Sequence, residues 1–124
     1  MDINIPEVVA EVTEAFLRYE KALGTNDVST IDTLFWDSAL TLRYGPNGTL
    51  LGHAAISAFR HGRNIPGIKR TLRDTHITTF GRDLAVANTE SDRPDGSRGR
   101  QSQTWVRLPG GWRIVSAHVS DEPR

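Results

Sequence analysis

Three residues far apart in this sequence, Tyr19, Arg43 and His118, have side chains suited to chemistry on a small acid. Arg43 stands in Thr41-Leu42-Arg43-Tyr44-Gly45. Its guanidinium is always charged and can grip a carboxylate through two parallel hydrogen bonds. Tyr19 is the one hydroxyl on an otherwise apolar helical stripe, and a buried phenol usually finds a polar partner. His118 has the ordinary pKa range for moving a proton near neutrality. In Gln101-Ser102-Gln103-Thr104-Trp105, alternation puts Gln101, Gln103, Trp105 and Arg107 on one face. Two amides beside an indole can read the donors and acceptors of a urea, and the same pattern equally suits a polar outer face where two sheets meet.

Each candidate also has a plainer reading. By strict alternation Leu40, Leu42 and Tyr44 share one face and Arg43 takes the other, which the pattern alone assigns to solvent. Tyr19 reads equally as a core tyrosine with a satisfied hydroxyl. His118 alternates with Trp112, Ile114, Ser116 and Ser120, as a structural histidine would. Arg60 and Arg63 close a helix, where cations complement the dipole without any ligand. His53, His61 and His76 lack ligand spacing, so neither a metal nor another cofactor is expected.

These residues must be held by a single domain spanning 1–124, since the length suits one modest core. Lys+Arg and Asp+Glu balance at 15 each, which excludes a global field for nucleic acid or a membrane surface. Acids crowd the first part of the chain and arginines the stretch from Arg60 to Arg113, a layout that suits local anion sites. The absence of cysteine excludes a thiolate nucleophile and a disulfide framework. With no apolar run near the ~20 residues of a membrane span, the expectation is a soluble cytoplasmic protein.

The spacing predicts a first helix opened by Pro6, with Val8, Val12, Phe16, Tyr19 and Leu23 inward and Gly24 as its stop. Asn26 or Asp27 caps a second helix carrying Ile31, Leu34 and Phe35, with Trp36 at its end. A strand over 41–45, the Pro46-Asn47-Gly48 turn and a brief strand at Leu50-Leu51 follow. Gly52 opens a third helix, ended by Gly62 and Pro66-Gly67. Then the period changes to two, and turns at Gly81-Arg82-Asp83, Pro94-Asp95-Gly96-Ser97 and Pro109-Gly110-Gly111 separate four strands of an antiparallel meander. The tail from Asp121 to Arg124 is expected to fray. Helices on a curved sheet give an α+β cone with an open mouth, a shape that small-molecule sites favour.

The helix bearing Tyr19, the segment 26–36 and the closing run 110–120 resemble the SnoaL-like, ketosteroid-isomerase-like superfamily, also called nuclear-transport-factor-like. More narrowly, the motifs Leu34-Phe35-Trp36, Arg43-Tyr44-Gly45, Ala58-Phe59-Arg60, 77–83 and 99–107 resemble small proteins found beside amidases in bacterial oxalurate and cyanuric-acid catabolism. The resemblance implies a cone-shaped α+β barrel with three N-terminal helices on a curved antiparallel sheet. It also implies a decarboxylating amidohydrolase activity, without cofactor, that turns a dicarboxylated urea into allophanate.

In the isomerases of this superfamily a first-helix tyrosine stabilises an oxyanion and a first-strand aspartate is the base. Tyr19 matches the first, and Arg43 stands where the aspartate would be, which removes the base and gains an anion clamp. Tyr19, Arg43 and His118 are therefore the expected catalytic residues; Trp36, Arg60, Gln103 and Trp105 are the expected substrate contacts. A small anionic substrate is the expected partner, with a homodimer through Val106, Leu108, Val115, Ala117 and Val119. A non-catalytic accessory protein of an amidase is the rival reading. Residues 46–51 and 121–124 depart from the resemblance in ways that bear on the substrate.

Overall fold

A computed structural model of the chain describes residues 1–63 and 67–122. The first helix, α1 (Pro6–Thr25), has proline in its first turn and Glu7 near its positive end, and it buries Val8, Val12, Phe16, Tyr19, Ala22 and Leu23. It runs past Gly24 and is stopped by Asn26, which adopts the left-handed conformation at φ 52°. The chain crosses back over Gly24 through Gly67, which must be glycine there: a Cβ on Gly67 would sit 2.2 Å from the Gly24 carbonyl oxygen. The Ile68 amide donates to the Leu23 carbonyl at 3.1 Å, tying this returning segment to α1.

Helix α2 (Val28–Leu34) is capped by Asp27, whose carboxylate accepts from the Thr30 amide at 3.2 Å. Strands β1 (Leu42–Gly45) and β2 (Gly48–Leu51) form a short hairpin, and α3 (His53–His61) follows. The meander is β3 (Thr71–Phe80), β4 (Leu84–Asp92), β5 (Arg98–Leu108) and β6 (Gly111–Glu122). Of the residues expected to end α3, Gly62 does so, and Pro66 lies outside the described residues.

The six strands form one curved sheet in the order β2-β1-β6-β5-β4-β3, its two edge strands β2 and β3 not joined to each other and β3 bridged at Phe80 by Ile3. All neighbours are antiparallel except β1 and β6, which run parallel with Arg43 opposite Ala117 and Tyr44 opposite His118. The cone is therefore an open mixed sheet closed off by helices. Its core joins the α1 stripe to Ile31, Leu34, Phe35 and Ile56 and to Ala85, Ala87, Trp105, Trp112, Ile114 and Ala117 of the sheet. Asp121 and Glu122, expected to fray, belong to β6 and pair with Gly99 and Arg98 of β5; Pro123 and Arg124 lie outside the described residues.

One irregularity decides which side chains face the core. Thr104 lies opposite Ser116 but Trp105 lies opposite Ile114, so Val115 is an extra residue in β6. Before this bulge Trp112 and Ile114 point inward. After it Ala117 is buried, Val119 lines the interior and His118 is exposed. The apolar stripe expected to meet a second copy is thereby split between the two faces of the sheet.

Candidate active site

Between α1, the β1–β2 hairpin, α3 and the far ends of β5 and β6 lies a cavity of about 360 Å³. Tyr19 and Leu23 of α1 line it, with Arg43, Leu50, Phe59, Arg60, Arg63, Ile68, Arg70, Arg93, Gln101, Val119 and Asp121. Arg43 and Tyr19 are thus brought together although 24 positions separate them in the sequence. Alternation in β1 holds, but the sides are the reverse of what hydrophobicity suggests. Leu40 (74 % exposed) and Tyr44 (45 % exposed) face outward, while Arg43 turns in. Gly45, two residues on and on the same side, makes room for it: a Cβ there would lie 2.7 Å from Arg43 Nη1.

Phe59 organises the cations. The guanidinium carbons of Arg43, Arg60 and Arg63 lie 5.3, 5.4 and 5.1 Å from the centre of its ring. None of the three is ion-paired with a carboxylate among the described residues. Arg60 is 4 % exposed, and its Nε has no hydrogen-bond partner there. Burial lowers the Arg43 pKa from its ordinary value, the Arg60 charge adds to this, Tyr19 opposes it and Arg63 reinforces it. An arginine nonetheless stays protonated at neutral pH. Buried charge without a counter-ion is costly, and a bound anion is the group that would relieve it.

The other two arginines of the wall are neutralised. Arg70 donates to both oxygens of Glu20, at 2.6 and 3.2 Å, and to Gln101 Oε1 at 3.0 Å; Gln101 Nε2 in turn donates to Glu20 Oε1 at 3.3 Å. Arg93 donates to Asp121 at 2.9 Å. The carboxylates nearest the cavity are therefore already engaged. Tyr19 is 3 % exposed, its ring packs edge-on to Phe35 at 5.9 Å, and its hydroxyl has no hydrogen bond to another described residue.

Four expected site residues are not in this cavity. His118 lies on the outer face, edge-on to Tyr44 at 5.6 Å, because the Val115 bulge reverses the side it would take by counting from Trp112. Gln103 and Trp105 face inward, not toward an outer dimer surface. They are sealed in the core, where the indole N–H donates to Gln103 Oε1 at 3.0 Å. Trp36 borders a separate open groove with Asp32, His53, Pro109 and Arg113. After α2 the chain is extended, Phe35 takes the inward position against Tyr19, and Trp36 turns the other way. Arg60 does line the cavity, as the resemblance implied.

Phe59, Arg63, Arg70, Arg93 and Gln101 were not singled out as site residues. Gln101 was legible from its shared face with Gln103, and Phe59 and Arg63 from their neighbourhood to Arg60. Arg70 and Arg93 carry no local signal. Among the described residues no three His, Asp or Glu side chains are grouped so as to hold a metal ion, and no helix is long and apolar enough to cross a membrane.

An α+β cone of three helices on an unclosed curved sheet, with its cavity behind the first helix, is the fold of the ketosteroid-isomerase-like, nuclear-transport-factor-like superfamily. Residues 1–123 match the AtzH-like family, and the chain belongs to that family. It is similar to a protein of unknown function from the DUF3225 family of Pectobacterium atrosepticum, at 53 % identity over 98 % of this chain and 96 % of that one, with a TM-score of 0.95. A cystatin-like fold protein from Burkholderia xenovorans is 43 % identical over 100 % of this chain and 98 % of that one, with a TM-score of 0.93. A nuclear transport factor 2-like superfamily protein from Salmonella enterica is 32 % identical over 95 % and 93 %, with a TM-score of 0.76. No curated protein matches the chain.

Proposed function

We propose that this protein decarboxylates a small N-carboxylated urea, of the dicarboxyurea class, without a cofactor. The observation that carries the reading is the set of three arginines, Arg43, Arg60 and Arg63, around Phe59 with no described carboxylate among them. Three cations without a described carboxylate partner around one cavity suit a ligand with more than one negative charge. The carboxylate held by the arginines is the one the product keeps, since withdrawing its charge from them would be costly. The carboxylate that leaves lies against the apolar wall of Leu23, Leu50, Ile68 and Val119, where conversion to neutral carbon dioxide is favoured. Its carbon–nitrogen bond breaks, and the electron pair passes to nitrogen and the conjugated carbonyl. Tyr19 donates to the developing oxyanion, and water entering at the mouth returns a proton to nitrogen.

The test is carbon dioxide release in a single turnover of a carboxylated urea. Arg43→Ala and Tyr19→Phe are each expected to slow it by about 10²-fold, the usual loss of one well-placed donor. Wild-type rates in both variants would overturn the mechanism.

A second reading is favoured by one observation: no unengaged base faces the cavity among the described residues, because Glu20 and Asp121 are paired and His118 is outside. An activated-water step therefore lacks its catalyst, and a module that binds an anion for a partner amidase fits the same walls. Stabilisation by malonate without turnover of any carboxylated urea favours that binder, by linkage of ligand to the native state. In either case we propose a homodimer, since closed two-fold pairs are the commonest assembly. Sedimentation as a monomer at micromolar concentration would count against the dimer.

A further inference from the structure

Helix α3 supplies Phe59 and Arg60 to the cavity, and Arg63 follows directly after it, yet the helix has little apolar hold. It is nine residues long, and its buried residues are Ile56 and Arg60. No side chain caps its N-terminus, which begins after Gly52. A helix this short is marginal without tertiary contacts. It also carries an electrostatic load, because Arg60 and Arg63 share the Phe59 ring with Arg43, and like charges repel.

Against that load stand the His53 amide, which donates to the Ser38 carbonyl at 2.9 Å, and the side-chain anchors that Asp32 of α2 provides. The backbone carbonyl of Asp32 accepts from His53 Nε2 at 2.8 Å. Its Oδ2 accepts from Ser57 Oγ at 3.0 Å and from His61 Nε2 at 2.9 Å. His53, Ser57 and His61 are four residues apart in turn, so they form one stripe along the whole of α3. Three anchors on one stripe fix both the rotation of the helix about its axis and its position along it. Ile56 and Arg60 lie one step around the helix toward the core, and Phe59 one step further, toward the cavity.

We propose that Asp32 is the positioning residue of the cationic cavity: by fastening the His53-Ser57-His61 stripe it sets where Phe59, Arg60 and Arg63 stand. This rests on the reading of the cavity as an anion site, and it adds a residue that touches neither ligand nor cavity. Ser57 and His61 are its counterparts on α3.

The experiment compares wild type with Asp32→Ala and, from the α3 side, with the double variant Ser57→Ala/His61→Gln. The double variant keeps the test open should Asp32→Ala fail to fold. Two readouts are taken: the NMR resonance of the Arg60 side-chain Nε–H, and the dissociation constant for malonate by calorimetry. The expected result is a shifted or broadened Arg60 resonance and malonate affinity weakened by about tenfold to 10²-fold, the range for small misplacements of binding groups. Turnover of a carboxylated urea should then show a raised KM with kcat little changed. An unmoved Arg60 resonance with wild-type malonate affinity would overturn the inference, even if the melting temperature fell. A moved resonance in a protein whose wild type binds no malonate would support the role of Asp32 while removing the anion-site reading.

Discussion

Arg43 and Arg60 approach the ring of Phe59 from β1 and α3, their guanidinium carbons 5.3 and 5.4 Å from its centre. The cavity thus gathers like charges around one aromatic ring, an arrangement a folding chain would avoid were stability alone selected. Its cost is stored where an anion can release it.

Replacing Arg60 by methionine tests that storage. The side chain is 4 % exposed and its Nε lacks a partner, so an apolar residue of similar length removes an unpaired buried charge. The Arg60→Met protein is expected to be more stable by about 1–3 kcal/mol, a rise of several degrees in melting temperature for a domain of this size. Stabilisation by added malonate should shrink or vanish. A less stable variant that retained the malonate response would contradict the cavity's charge balance.

Gly45→Ala should damage the site without damaging the fold. The new Cβ would stand 2.7 Å from Arg43 Nη1, so the guanidinium must give way. Because Gly45 lies at the end of β1 without a positive φ, the backbone accepts alanine. The expected outcome is a KM raised by about tenfold or more with an unchanged circular dichroism spectrum. An unaltered KM would show that Arg43 does not hold the substrate.

His118→Ala is expected to leave turnover at the wild-type rate. Its ring is exposed and meets Tyr44 on the outer face, away from Tyr19 and Arg43. A rate drop of about 10²-fold, the scale of lost general acid–base catalysis, would bring the histidine back into the mechanism.

Acid should loosen two specific points. The Thr30 side-chain and backbone hydrogen bonds lower the Asp27 pKa, and the Arg73 hydrogen bond lowers that of Asp92. A carboxylate whose folded pKa is depressed adds stability that is fully present above its unfolded value of about 3.9. That stability is lost as pH falls through the folded value. Melting temperature should therefore drop below about pH 4, and an Asp27→Ala/Asp92→Asn double variant should show a shallower drop. Equal slopes would show that other carboxylates govern acid unfolding.

The elements were legible because each carries local chemistry: the α1 stripe from Val8 to Leu23, the Asp27 cap, and the Gly- and Pro-rich turns of the meander. The parallel pairing of β1 with β6 was not legible, since it joins positions about 70 apart with no turn between them to announce it. Within the site, Tyr19 follows from the stripe, whereas the inward turn of Arg43 runs against β1's own hydrophobic pattern and came through resemblance alone. His118 was misplaced because period-two counting assumes an unbroken strand. Alternation put Gln103 and Trp105 on one shared face but left open whether it looked inward or outward, and it says nothing of how far below a cavity floor a residue lies. Arg70 and Arg93 gave no sign, because their partners Glu20 and Asp121 are distant in sequence.

The extra residue at Val115 acts as a parity change in β6: even positions look inward before it, odd ones after it. Anyone installing a proton-transfer group in this cavity must count from Ala117 rather than from Trp112. Val119→His would project an imidazole beside Gln101, whereas the native histidine one position earlier looks out on the other side. Deleting Val115 itself would restore plain alternation and leave Ala117 and Val119 facing inward opposite Gln103 and Gln101, whereas a deletion between Ser116 and Val119 would turn the residues beyond it outward.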